Sequence, residues 1–167
     1  NTSFTGEDRL YTRIKAGNMG TTPWEDTAHG THLAAAHASD NNQLEVDKLW
    51  YEFPIGEFKV WAGPRIENYY MLASSPSIYK PVLKEFALGG NSGAYSASTD
   101  GGFGVAWTQQ VKDRSEARWA VSTNYVSKGA DSASSLNTTE GGGIFTDTHA
   151  KWLTKVEYGS PRWQLSL

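Results

Sequence analysis

Basic side chains recur at alternate positions in several segments of this chain, with other residues between them that suit an apolar environment. Arg13 and Lys15, for example, flank Ile14. A row of cations along one face of a sheet concentrates anions, most strongly inside a narrow passage of low dielectric. The same row also suits the solvated face of a soluble sheet. The candidate pore-lining residues on this face are Arg9, Arg13, Lys15, Lys48, Glu52, Lys59, Arg65, Arg118, Lys155 and Arg162.

Two tryptophans, Trp50 and Trp61, occupy the same alternating positions as the basic residues. Aromatic rings beside arginine and asparagine side chains can form a track along which sugars slide. They can equally fill the bend beside a hairpin. The sequence leaves both interpretations open.

Segment 76–88 interrupts the alternation. Ile78, Val82 and Phe86 recur at helical spacing, and Pro81 can start a short helix. We predict a loop helix that folds into a pore and narrows it; the alternatives are the outer surface or a neighbouring subunit. The residues of this candidate constriction loop are Tyr69, Tyr70, Lys80, Lys84 and Glu85.

Three histidines, His29, His32 and His37, lie close together in one long connection. A His-x-x-His pair on a helical turn can bind zinc, copper or iron. The sequence has no H-E-x-x-H motif, and the neighbouring alanines offer the histidines no supporting hydrogen bonds. An exposed histidine group without metal is favoured, and we predict no cofactor.

An enzymatic interpretation depends on Ser92 and His29, whose surroundings resemble the nucleophile and histidine segments of chymotrypsin-like proteases. A catalytic triad needs a rigid scaffold that brings serine, histidine and aspartate together. Both residues lie in long connections, so we predict that the protein is not an enzyme.

The composition excludes further classes. The 167 residues include no cysteine, which removes disulfides, thiolate catalysis and cysteine-ligated metals. The 15 basic and 18 acidic residues argue against a nucleic-acid partner. No apolar run approaches the roughly 20 residues of a membrane helix.

Alternation with period two indicates β-strands over most of the chain. One face of each strand suits lipid or a core, and the other suits water. The acidic residues, Asp47 among them, are mostly assigned to loops and turns. The predicted strands are 8–17, 48–53, 58–66, 102–111, 117–126, 152–158 and 162–167.

The connections between these strands alternate in length. Short turns are predicted at 5–7, 54–57, 112–116 and 159–161, and long polar connections at 18–43, 67–101 and 127–150. Outer-membrane barrels have short turns at one end and long loops at the other. Aromatic residues beside the short turns predict an interfacial girdle formed by Tyr51, Phe53, Phe58, Trp119, Tyr158 and Trp163.

The two ends of the chain carry only strand stubs. Segments 1–4 and 162–167 are shorter than the 9–11 residues of a membrane strand. An open sheet edge is not tolerated in lipid. We therefore expect 1–167 to be one partial β-barrel domain, with six complete strands between two stubs.

Blocks of residues occur in the order found in one protein family. They include 2–10, 12–18, 63–65, 67–68, 71–72, 122–127 and 142–147. With these blocks the whole chain resembles the cyanobacterial major outer-membrane porins of the Som type, which are related to the carbohydrate-selective OprB porins. Segments 69–74 and 161–164 are most similar to marine unicellular members.

The resemblance implies an all-β, antiparallel transmembrane β-barrel of roughly 16 strands in the outer membrane of a Gram-negative-type bacterium. It implies a homotrimer in contact with the lipid bilayer and lipopolysaccharide. Peptidoglycan contact would belong to an S-layer-homology domain, which we expect, like a signal peptide and the remaining strands, to lie outside this chain.

The predicted function is a passive diffusion channel for small hydrophilic solutes. Sugars and iron follow from the resemblance, and a preference for anions follows from the basic residues. The alternative is a soluble β-sandwich module for carbohydrate binding or adhesion, with Trp50 and Trp61 stacking on sugar. A serine hydrolase is a more remote alternative.

Overall fold

A computed structural model of the chain describes residues 2–17, 43–74, 95, 99–127 and 150–167. They form one open, antiparallel sheet of seven strands, arranged in sequence order. The predicted all-β antiparallel class is therefore confirmed. Among the described residues, no helix is long and apolar enough to cross a membrane.

Each predicted strand segment forms a strand, although the bounds differ. The strands are β1 (Arg9–Lys15), β2 (Glu45–Ile55), β3 (Phe58–Glu67), β4 (Thr99–Thr108), β5 (Arg118–Ser127), β6 (Ala150–Ser160) and β7 (Trp163–Ser166). A 3₁₀ helix, Asn68–Met71, follows β3. Backbone pairing of Thr2 with Leu10 adds the predicted stub to the edge at β1.

Strand β2 is longer than the sequence pattern predicts. Pro54 and Ile55 continue the strand, so the turn to β3 consists of Gly56 and Glu57 alone. Gly56 has a φ of 59°, in the left-handed region that favours glycine. Asp47 also belongs to β2, and its assignment to a loop is wrong.

The turn before β1 is organised by Asp8. Its buried carboxylate accepts hydrogen bonds from the backbone N–H groups of Phe4 and Thr5, at 3.0 and 2.7 Å. The Tyr51 hydroxyl also donates to it. The Tyr51 hydrogen bond, together with those from Ser3 and Thr5, holds the pKa of Asp8 well below its ordinary value.

The burial of the two sheet faces is the reverse of that in a soluble sheet. We call the polar face the inner face; its buried residues include Lys48, Glu52, Ser122, Asn124, Lys155 and Glu157. We call the apolar face the outer face; its exposed residues include Phe58, Phe103, Trp119, Val121, Trp152, Val156, Trp163 and Leu165.

Residues 68–74, called the cover segment below, bury the inner face. Met71 packs in a core cluster with Trp50, Trp61 and Ile66. Gly104 of β4 permits this close approach, because a Cβ atom there would lie 2.9 Å from the Met71 Cβ atom. The core therefore lies between the sheet and its own loop.

Candidate functional site

The inner face carries most of the predicted pore-lining residues. Arg118 begins β5 opposite Gly159, whereas Arg162 lies exposed in the turn between β6 and β7. The other predicted residues that lie on this face within strands are Arg9, Arg13, Lys15, Lys48, Glu52, Lys59 and Lys155.

Arg65 is the exception, and its predicted face is wrong. The pairing of β3 with β4 shifts register between Gly63 and Ile66. As a result, Arg65 pairs with Leu49 on the outer face, and Ile66 takes the buried inner position. A bulge re-aims side chains in this way, and a strict alternation pattern does not reveal it.

Glu52 is the centre of the first charged group, which we call the Glu52 cluster: Glu52, Arg9, Lys59, Trp50 and Trp61. Arg9 Nη2 lies 2.8 Å from one carboxylate oxygen, and Lys59 Nζ lies 2.9 Å from the other. Trp61 Nε1 donates to Glu52 at 3.0 Å. Glu52 is buried, while the side chains of Arg9 and Lys59 are 43% and 51% exposed.

Acidic residues also pair with the cations nearer the long connections. Asp47 accepts a hydrogen bond from Arg13 Nε and lies 3.7 Å from Lys15 Nζ. Lys48 Nζ lies 2.6 Å from a Glu67 carboxylate oxygen. Neither acid was predicted to lie on this face, so the inner face is less basic than predicted.

The second charged group, the Glu157 cluster, consists of Glu157, Lys155, Ser74 and Gln164. Lys155 Nζ lies 2.6 Å from Glu157 Oε2, and both side chains are buried. Ser74 Oγ donates to the same oxygen at 2.9 Å, and Gln164 Nε2 donates at 2.8 Å. These contacts fasten the end of the cover segment to β6 and β7.

The start of the cover segment is fastened to the other strands. The Asn68 carbonyl accepts a hydrogen bond from Asn124 Nδ2 at 2.9 Å. The Tyr70 ring lies 5.1 Å from Trp50, which stacks on Tyr11 at 3.9 Å. The tyrosines of the predicted constriction loop, Tyr69 and Tyr70, therefore lie over the inner face.

Burial raises the pKa of Tyr69 above its ordinary value, and the nearby Glu67 carboxylate raises it further. Tyr69 is consequently neutral at physiological pH. Its ring stacks on Tyr70 at 4.9 Å. The cover segment thus presents neutral phenols rather than charges beside the basic strands.

The two tryptophans of the inner face fill space. Trp50 is 1% exposed and Trp61 is 3% exposed, so neither ring can stack on a sugar. Both indole N–H groups point to Glu52, at 3.4 and 3.0 Å. The interpretation as a sugar track is wrong for these residues.

A hollow of about 380 Å³ opens on the inner face near the short turns. Leu72 and Ala73 of the cover segment bound it on one side, and Lys59, Trp61 and Thr108 bound it on the other. The cover segment therefore leaves part of the inner face accessible.

The predicted aromatic girdle lies on the outer face beside the short turns. The Trp119 and Tyr158 rings are 4.8 Å apart, and the Tyr158 and Trp163 rings are 5.7 Å apart. Its members are Tyr51, Phe53, Phe58, Trp119, Tyr158 and Trp163.

A second aromatic row, near the long connections, was not predicted from the sequence. Phe103, Tyr125 and Trp152 are cross-strand neighbours with ring separations of 5.8 and 5.9 Å. Between the two rows, the hydroxyls of Thr123 and Thr154 are 2.9 Å apart. Trp152 Nε1 donates to Thr123 at 2.8 Å, so these outer-face polar groups satisfy one another. The row could have been found by aligning the outer-face positions at the strand ends next to the long connections.

Several predicted features lie outside the described residues. They are the loop helix at 76–88 with Lys80, Lys84 and Glu85, the histidines His29, His32 and His37, and Ser92. In the part of the chain that the structure describes, no three His, Cys, Asp or Glu side chains are grouped to hold a metal.

The chain is similar to a cyanobacterial protein. The uncharacterized protein alr4550 of the cyanobacterium Nostoc sp. is 29% identical over 124 residues. The match covers 64% of this chain, which spans about a fifth of the relative's length, since 20% of that protein is aligned. No family model and no solved structure matches the chain.

Proposed function

We propose that the chain is part of the wall of an outer-membrane porin, a passive diffusion channel for small hydrophilic solutes. The observation that carries the proposal is the reversed burial of the two faces. Val121 and Val156 are exposed on the outer face, while Lys155 and Glu157 are buried on the inner face. A barrel in a membrane has apolar residues toward lipid and polar residues toward its lumen.

The outer face has two further properties of a lipid-facing wall. Aromatic rows border it near both ends of β5 and β6, as they do at the two interfaces of an outer-membrane barrel. Its hydroxyls at Thr123 and Thr154 bond to each other, which matters because lipid offers no hydrogen-bond partner.

The sheet edges support a larger assembly. The strand order leaves β1, with the Thr2 stub beside it, and β7 at the two edges, and an open edge in lipid has unsatisfied backbone groups. We propose that further strands complete a barrel of roughly 16, as the resemblance to Som-type porins implies, and that three barrels form a trimer. Lipopolysaccharide and the bilayer of the outer membrane are then its surroundings.

Selection in this channel has two sources. The cover segment narrows the lumen and excludes large solutes. Acidic residues pair with most of the cations on the inner face. The preference for anions over cations is therefore weaker than the basic residues alone would predict. Arg118 and Arg162 have no ion-pair partner within the described residues, which leaves a modest preference for anions. Inorganic anions and sugars are the proposed solutes; iron uptake rests only on the resemblance.

The test uses the full-length protein, purified in detergent and reconstituted into planar bilayers. We expect the conductance to rise in steps as single channels insert. Under a salt gradient, the sign of the reversal potential should indicate a weak preference for anions. Proteoliposomes that contain the protein should take up sugar. Protein that remains in the aqueous fraction without detergent, or bilayers without conductance, would contradict the proposal. Strong cation selectivity would contradict the proposed charge selection.

A further inference from the structure

The Glu52 cluster holds more positive than negative charge. Arg9 and Lys59 share the single carboxylate of Glu52. Each of these two side chains is about half exposed, in contrast to the buried Lys155. The cluster therefore has one more positive charge than its own acid neutralises, and that charge is accessible.

The two cations lie close enough to bind one ligand together. Each contacts a different oxygen of the same carboxylate, at 2.8 and 2.9 Å, so their nitrogens are separated by at most those two contacts and the width of the carboxylate together. The Nε–H of Arg9 is buried and has no acceptor among the described residues. A guanidinium with unused donors beside an ammonium is the arrangement that recognises oxyanions.

The hollow beside this cluster gives an anion access to it from the side of Lys59, since Arg9 does not border the hollow. Lys59 and Trp61 border it, and Thr108 and Gln110 add a hydroxyl and an amide. Glu57 also borders it, but its carboxylate accepts a hydrogen bond from Trp107 Nε1 at 3.1 Å. The volume of about 380 Å³ accommodates a small hydrated anion.

We propose that Arg9 and Lys59 form a binding site for a tetrahedral inorganic oxyanion on its way through the channel. This inference rests on the proposed channel function and names one class of its solutes. Glu7 and Glu57 on the rim of the hollow both oppose anions, so the site binds loosely. Loose binding suits transport, since a solute must also leave.

The test measures chloride current through the full-length channel in planar bilayers while sodium phosphate is added, with sulfate as a second probe. We expect both oxyanions to reduce the chloride current in a saturable manner. Lys59→Gln should weaken this block about tenfold, equivalent to about 1.4 kcal/mol. Lys59→Arg, which keeps the charge, should preserve it. Arg9→Gln should weaken it similarly.

Lys112→Gln, in the connection between β4 and β5, is the matched control because it removes the same charge away from the cluster. Its block should equal that of the native channel. An intact chloride conductance without oxyanion block, or equal block in Lys59→Gln, overturns the site alone. Equal weakening in Lys112→Gln also overturns it, since general charge would then explain the effect. Absence of any chloride conductance overturns the channel proposal itself.

Discussion

Three consecutive residues of β6 show how differently the two faces of the sheet are built. Lys155 and Glu157 are 3% and 7% exposed, whereas Val156 between them is 39% exposed. Hydropathy alone would predict the opposite order in a soluble protein. The difference arises because the cover segment lies on the polar face and provides hydrogen-bond partners there, while no described residue covers the apolar face.

The largest effect is expected from breaking the buried ion pair of the inner face. Lys155→Ala leaves the Glu157 carboxylate buried without its cation, which should cost about 3–5 kcal/mol of unfolding free energy. Urea unfolding of the full-length protein in lipid vesicles, followed by tryptophan fluorescence, measures this. Lys59→Ala is the control, because its half-exposed pair should cost about 1 kcal/mol or less. Equal losses would show that the two clusters do not differ in burial.

Val156, next to Lys155, tests the outer face, here by adding a charge rather than removing one. Val156→Lys places a charge where we propose lipid, and the expected loss is about 2–4 kcal/mol in vesicles. Val111→Lys, in the connection between β4 and β5, should have little effect. If Val156→Lys is equally neutral in vesicles, the outer face does not contact the membrane interior.

The contact between the cover segment and the sheet is tested at Gly104. Gly104→Ala adds a methyl group against Met71 and should cost about 1–3 kcal/mol through overpacking. In the double variant with Met71→Ala the two losses should add only in part, because alanine removes the sulfur that the new methyl group would meet but leaves the Cβ atoms of residue 71 and Asn124 close to it. Full additivity in the same urea titrations would place Met71 away from Gly104.

The smallest expected effect concerns acid stability. The pKa of Asp8 is lower in the folded protein than its ordinary value of 3.8, mainly through the Tyr51 hydroxyl. Its contribution is complete above that ordinary value and is lost as the pH falls below it. Asp8→Asn should therefore lower the unfolding midpoint at about pH 7 and reduce the loss on acidification to about pH 3. An unchanged midpoint at neutral pH would contradict this role of Asp8.

The strands and their two faces follow from the sequence, because alternation is a local property. The position of Arg65 does not follow, since it depends on a bulge between Gly63 and Ile66 that only the pairing with the neighbouring strands reveals. The acidic partners were missed for a related reason. Asp47 was assigned to a loop, yet β2 extends past it and brings it beside Arg13.

The cover segment was predictable only in outline. Its interruption of the strand pattern is visible, and an inward fold was among the alternatives. The contacts of Ser74 with Glu157 join residues far apart in the chain, and no local pattern specifies such a pairing. The burial of Trp50 and Trp61 depends on this fold, so their space-filling role could not be separated from a sugar track beforehand.

The most direct measurement of the central claim uses spin labels along β5. Because the 167 residues contain no cysteine, single substitutions such as Val121→Cys, Ser122→Cys, Thr123→Cys and Asn124→Cys can be labelled selectively within this part of the protein. In the full-length protein in vesicles, we predict high collision rates with oxygen and low rates with a water-soluble nickel reagent at Val121 and Thr123. At Ser122 and Asn124, which lie on the inner face, the spin labels should collide less often with the oxygen that is dissolved in the lipid. Outer-face positions that collide freely with the nickel reagent would contradict the assignment of this sheet to a membrane wall.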